Sequence, residues 1–447
     1  MTHQLRHELP VTYRRIFAYF FPLALQAAAQ SLTYPLVAMV ASRGVGGTFN
    51  LAGLAQANSI MFLLGTIGAG LITTGMIYGK TKEGYAAFVR VNYILAFTAG
   101  IMQALICYPP LAHTVFGHLV GLPEGIEHPA KIALLSSIPL QILFFLRNPY
   151  QATLYNHNAT GLASGATILR IAMTAGLSPV FSGLGLVGPF WAVVCMTIPV
   201  AGETLLSWLF SRRYLRDLPR VKGPAPAIAE LITFTMPLSI GGLFLALSGI
   251  LIGAVIAHAG HAELMLPAYY LAAGLSGPMA FAASRVQAVT IAFAPDRQGH
   301  RTLLSFSVIV GSIVGFIPLL FILPGLADWY YVGLQKCRPE MLNLVRWSAV
   351  GLVLQPLAVS LRAYSEGRAA VLKKPVTILA GQGVFLAMLA VVSFLCLVLT
   401  VPGNLIAPLG LISANVAAAL IINLSLRWEK QRGLPVAVKA DAPEGFE

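Results

Sequence analysis

An all-α, polytopic membrane protein is the fold class this sequence predicts, with twelve transmembrane helices in two parallel six-helix repeats. Three observations predict it. Of the 447 residues 57% are hydrophobic and only 10% charged, against roughly a quarter charged in a soluble domain. Apolar runs such as "LLSSIPLQILFFL" and "GQGVFLAMLAVVSFLCLVLTV" recur along the chain, and about 20 such residues cross a bilayer as a helix. The chain also matches itself. "FFPLALQAAAQSLTYPLVAMVASRG" (20–44) runs parallel to "TMPLSIGGLFLALSGILIGAVIAHA" (235–259) at an offset of 215. The same offset takes Gly84 to Gly299, Pro109-Pro110-Leu111 to Pro324-Gly325-Leu326 and Arg147 to Arg362. A further likeness, "LGLVG" (184–188) with "LGLIS" (409–413), lies ten residues out of step.

The first six predicted helices are 16–42, 51–79, 86–108, 131–157, 160–181 and 186–210. The second six are 227–257, 264–294, 302–325, 341–367, 375–400 and 406–427. The first begins behind Arg14 and Arg15 and resembles a signal peptide, but its match at mid-chain argues for a retained span. Six spans per half bring both halves into the membrane from the same side, related by a pseudo-two-fold along the membrane normal. The expected domains are an N-lobe (1–215), a basic connector (211–226), a C-lobe (227–430) and a disordered tail (431–447).

Orientation follows from loop charge. With the N-terminus in the cytoplasm, Arg14, Arg15, Lys80, Lys82, Arg297, Arg301, Arg368, Lys373, Lys374 and "SRRYLRDLPRVK" (211–222) all lie inside. The other face keeps Arg43, Lys131, Lys336, Arg338 and Arg346. This is the positive-inside pattern, which accounts for most of the +13 net charge and makes the connector a topology signal rather than a nucleic-acid site. The expected location is the inner or plasma membrane, with both termini cytoplasmic.

Four arginines fall inside predicted spans: Arg147 in the fourth, Arg170 in the fifth, Arg285 in the eighth and Arg362 in the tenth. Only Glu203 and Glu366 are placed to balance them. Burying an arginine at mid-membrane costs at least about 2.5–3.5 kcal/mol, so such residues face a bundle interior or a wet cavity. Guanidinium forks match carboxylate and phosphate groups, so an unbalanced set suits a negatively charged ligand. Helical spacing adds polar neighbours: Tyr150 and Gln151 beside Arg147, and Gln26, Gln30 and Tyr34 at four-residue steps in the first helix. Asn58 in the second helix joins that stripe. The competing assignment makes Arg147 and Arg362 structural pins tied to Glu203 and Glu366, with Glu203 a counter-ion rather than a proton carrier. Pro22, Pro35, Pro149, Pro237 and Pro356 are expected to kink their helices.

Four dispersed cysteines and nine histidines form no metal spacing. No nucleotide-binding loop or nucleophile elbow appears. No cofactor, metal or enzymatic activity is therefore predicted. The expected partners are the lipid bilayer and a small anionic substrate, and the expected state is a monomer.

Two six-helix halves joined by a basic connector resemble the MOP (MATE-like) exporter superfamily. Within it, "VSLRAYSEGRAAVLKKP" and "SGPMAFAASRVQAVTIAFAPDR" (276–297) are similar to segments of the progressive ankylosis (ANK) family, as are "FFPLAL" and "ASRGVGG". The likeness is densest over 227–385. It implies export of small organic anions such as citrate, nucleotides or pyrophosphate, with Arg362 at that family's helix-10 arginine. Arg285 fits that pattern less well, because Gln287 stands where the family has an arginine. The first helix lacks the aspartate of cation-coupled MATE transporters. Alternatives are a cation-coupled multidrug exporter, a flippase for an anionic lipid-linked substrate, and a non-transporting scaffold.

Overall fold

In a computed structural model, residues 12–30, 33–120, 122–220, 224–293, 297–335 and 339–431 are described. The predicted tail from 432 and Cys337 lie outside them. The structure is 86% helix, with no strand among the described residues. Among the described residues nine helices are long and apolar enough to cross a membrane, and ten if the bent pair 124–136 and 138–156 forms one span. That is the pattern of a multi-pass membrane protein.

The first ten helices are α1 (Tyr13–Gln30), α2 (Thr33–Ser42), α3 (Thr48–Gly65), α4 (Leu71–Tyr78), α5 (Lys82–Ile106), α6 (Pro109–His113), α7 (Glu124–Ser136), α8 (Ile138–Asn156), α9 (Thr160–Gly183) and α10 (Pro189–Arg216). The remaining eight are α11 (Ile228–Ala257), α12 (Ala262–Ala283), α13 (Val286–Ala292), α14 (Arg297–Phe316), α15 (Leu342–Gly351), α16 (Gln355–Val371), α17 (Pro375–Val398) and α18 (Gly403–Gln431). They form two compact units. One runs from Phe17 to Ala246, and the other takes the described residues on either side of it.

The first unit has an apolar core contributed largely by α2, α3, α7 and α10, including Val37, Leu54, Leu134 and Val193. The motif "ASRGVGG" turns the chain between α2 and α3. Gly47 takes φ +53 there, and a Cβ on Gly44 would lie 2.8 Å from Gly188 Cα, so both positions require glycine.

Several predicted helices are broken, two of them beside a proline. The segment 131–157 bends by 40° at Ser137, just before Pro139, whose ring removes a backbone donor. Gln103 of α5 donates to the Leu134 carbonyl and to Ser137 Oγ, both at 2.8 Å, tying α5 to the bend. The segment 341–367 breaks at residues 352–354. Pro356 sits in the first turn of α16, where proline is tolerated, and so starts a helix instead of kinking one. Pro22, Pro149 and Pro237 lie within α1, α8 and α11.

Helix boundaries recur at the offset of 215. Thr160–Gly183 and Pro375–Val398 match at both ends, and α5 and α14 begin at Lys82 and Arg297. The ends of α8 and α16 close through Asn158 and Lys373, at φ +56 and +54. Those of α9 and α17 close through Gly185 and Thr400, at φ +71 and +52. Each is sealed by a hydrogen bond from the amide five residues ahead: Ala159 to Leu154 (2.8 Å), Lys374 to Ala369 (2.9 Å), Leu186 to Phe181 (2.9 Å) and Val401 to Cys396 (2.9 Å). This is Schellman closure, with a left-handed residue ending the helix. Because 215 holds through Gly185 and Thr400, the "LGLVG"/"LGLIS" likeness is not the repeat register. The first segment is the turn after α9, and the second lies inside α18.

Candidate functional site

Within the first unit, Glu203 of α10 is fully buried (0% exposed) and organises a polar cluster drawn from four helices. Its Oε2 accepts from Arg147 Nη1 of α8 at 2.8 Å and lies 3.3 Å from Arg170 Nη1 of α9. Its Oε1 accepts from Thr167 Oγ1 and, at 3.4 Å, from Gln151 Nε2. Three hydrogen-bond donors and one further cation, Arg170, thus converge on one carboxylate.

The network continues into α1. Thr167 Oγ1 accepts from Gln26 Nε2 at 2.8 Å, and Gln26 Oε1 accepts from Tyr155 OH at 3.2 Å. Tyr19 OH donates to the Tyr155 carbonyl at 3.2 Å. Arg170 Nη2 also reaches Thr33 Oγ1 at 3.4 Å. Arg170 is 4% exposed, and the Arg147 side chain, stacked 5.4 Å from the Phe144 ring centroid, is 12% exposed. The Nε atoms of both arginines are buried without a hydrogen bond. Two guanidinium groups on one carboxylate leave this cluster one positive charge in excess.

A second, smaller cluster lies in the other unit, on α16 and α17. Arg362 Nε stands 3.6 Å from Glu366 Oε1 one turn on, which is an ion pair without a hydrogen bond. Gln382 Nε2 donates to the same Glu366 oxygen at 3.3 Å. The Arg362 guanidinium lies over Phe385 at 5.1 Å, and its Nε and Nη1 are buried with no hydrogen-bond partner. Two contacts hold α16 in place: Ser360 Oγ donates to the Ser307 carbonyl of α14 at 2.8 Å, and a Cβ on Gly367 would meet Thr290 Cβ of α13 at 2.6 Å.

The predicted residues therefore separate. Arg147, Gln151, Arg170, Glu203 and Gln26 meet in one cluster, and Arg362 and Glu366 form another. Arg285 is half-buried at the break between α12 and α13, 4.9 Å from the Phe281 ring. Tyr150 is half-buried on α8 and takes no part in the Glu203 hydrogen bonds. Gln30 is half-buried at the end of α1 and outside the Glu203 network, and the Tyr34 side chain is not among those described. Asn58 lines a cavity of only about 10 Å³ with apolar neighbours including Leu54 and Met61.

Sequence reasoning passed over Thr167, Tyr155, Gln382 and Phe385. A signal for Thr167 existed. Thr160, Ser164, Thr167, Thr174 and Ser178 recur at helical spacing beside Arg170 and are all buried.

Comparison with solved structures finds close likeness in fold at low identity. A MATE transporter in its bent conformation superposes with a TM-score of 0.74 at 18% identity, covering 94% of each chain. The fold is MATE-like. A MOP superfamily transporter from Pyrococcus furiosus, described by a reverse polarity of its binding pocket that suggests a different function, gives 0.69 at 18% identity, over 94% of this chain and 95% of that one. A eukaryotic MATE transporter gives 0.66 at 13% identity, over 96% and 97%. No protein-family model matches the sequence, and no curated protein matches it.

Proposed function

We propose that this protein exports small multivalent organic anions, of the citrate, nucleotide or pyrophosphate kind, from the cytoplasm across the inner or plasma membrane. In this reading twelve spans form two parallel six-helix lobes with cytoplasmic termini. A monomer works by alternating access, the lobes rocking about a central cavity that contains the arginines. The helix boundaries and left-handed helix ends that recur at 215 support the repeat. The ANK-like segments around Arg285 and Arg362 support the substrate class.

One observation carries the reading: Arg147 and Arg170 share the single carboxylate of Glu203 and keep unused buried donors. A buried cation without full compensation is costly, and a multivalent anion offers the missing acceptors. Arg362, whose Nη1 is also without an acceptor, supplies a further fork. The Pyrococcus furiosus neighbour's reversed pocket polarity offers a precedent on this fold. A cation-coupled multidrug exporter is the second reading, supported by a multidrug-resistance MATE transporter at TM-score 0.72.

Uptake of labelled citrate, ATP and pyrophosphate into proteoliposomes, alongside a cationic dye, separates the two. Transport of at least one anion, reduced at least ten-fold by Arg362→Ala, is expected. Movement of the dye with no anion flux would favour the second reading and end the first.

A further inference from the structure

The end of α10 carries a feature the transport reading does not use. Arg212, Arg213 and Arg216, together with Leu162, Leu209 and Phe210, line a cavity of about 420 Å³. All three arginines are exposed, and among the described residues none of them forms an ion pair. Arg212 lies over the Trp208 ring at 4.7 Å, and Arg213 over Tyr214 at 4.5 Å. Tyr214 in turn stacks on His157 at 4.8 Å.

The residues are graded along the helix. Leu205, Leu209, Arg212 and Arg216 follow at steps of four, three and four, on one face. Leu205 (55%) and Leu209 (43%) are exposed apolar side chains below the charged turn, and Trp208 sits at the junction. At 1.5 Å per residue, 28 residues span about 42 Å, more than the ~30 Å hydrocarbon layer. The final turns of α10 therefore emerge among the headgroups.

We propose that this cavity binds the phosphate of an anionic phospholipid. The guanidinium groups would grip the phosphodiester, and the acyl chains would lie along Leu205, Trp208 and Leu209. Topology alone asks only that positive charge be on one side of the membrane. It does not require three arginines gathered around a cavity with an apolar floor, at the depth where a lipid phosphate lies.

The test is native mass spectrometry of the full chain reconstituted with phosphatidylglycerol or phosphatidylcholine, with soluble glycerol phosphate as competitor. One retained phosphatidylglycerol is expected, and no retained phosphatidylcholine. Affinity should fall about five-fold per arginine removed, or roughly a hundred-fold in R212Q/R213Q/R216Q. Leu162→Trp fills the cavity without touching the charge that sets topology, and should also abolish retention. It keeps the test decisive if the triple variant fails to insert. Equal retention of the two lipids, or undiminished retention in Leu162→Trp, would overturn the assignment. So would displacement by equimolar glycerol phosphate, because the cavity would then be one for soluble phosphate.

Discussion

Glu203 is the residue on which the first unit's polar interior depends. Arg147, Arg170, Thr167 and Gln151 all end on its two oxygens, so removing its charge strands two cations at once. Breaking a buried pair by deleting one partner costs about 3–5 kcal/mol. Glu203→Gln should therefore destabilise more than Arg147→Gln, which leaves Arg170 in place as counter-ion. Thermal unfolding of the purified variants in detergent checks the order, and equal losses would mean that the carboxylate is not the hub. Thr400 presents the opposite case. A β-branched residue at φ +52 is strained by roughly 1–2 kcal/mol, whereas its counterpart 215 positions earlier is Gly185. Thr400→Gly should raise stability by about 1 kcal/mol after the entropy cost of a new glycine, read as an increase in Tm.

At the scale of elements, α16 carries Arg362 and Glu366 and owes its position to glycines on its neighbour α14. A Cβ at Gly311 would lie 2.7 Å from Leu357 Cα, closer than any side-chain adjustment relieves. Small residues allow such approach between membrane helices. Gly311→Ala should destabilise the fold by about 1–3 kcal/mol and reduce the proposed transport without touching a charged group. A variant with wild-type Tm would mean that α14 does not set the place of α16. Most of this architecture was legible in the sequence, because a bilayer demands long apolar helices and the twelve predicted segments all contain helix. The breaks within those segments, at Ser137 and 352–354 among others, were not. Pro356 reads as a kink until the break before it is seen, and Pro139, in the first turn of α8, drew no expectation. In the site, Arg147, Arg170, Arg362 and Glu203 stood out because charge in an apolar run is costly. Thr167 and Tyr155 did not, since hydroxyls are ordinary in membrane helices and their partners lie on other helices. Asn58 differs again: it lies beside apolar neighbours including Leu54 and Met61, outside the Glu203 hydrogen bonds.

For the whole molecule, the proposed cargo makes transport sensitive to membrane potential. An inside-negative potential favours exit of each negative charge by ~2.3 kcal/mol per 100 mV, so a trianion needs no coupling ion to leave the cell. In proteoliposomes with an imposed potassium diffusion potential, anion flux should rise steeply when the compartment holding the anion is made negative. It should persist in the absence of sodium and of a pH gradient. Flux indifferent to potential but abolished without a cation gradient would count against uncoupled export.

The paired corners after α8 and α16, and after α9 and α17, have a practical meaning for anyone editing the chain. Asparagine, lysine, glycine and threonine each occupy the reversing position, yet the ring of backbone atoms closing behind them is the same size every time. Spelling at these junctions is negotiable, but length is not. Exchanging letters there should be survivable, while inserting or dropping a single residue would leave the ring with no way to close.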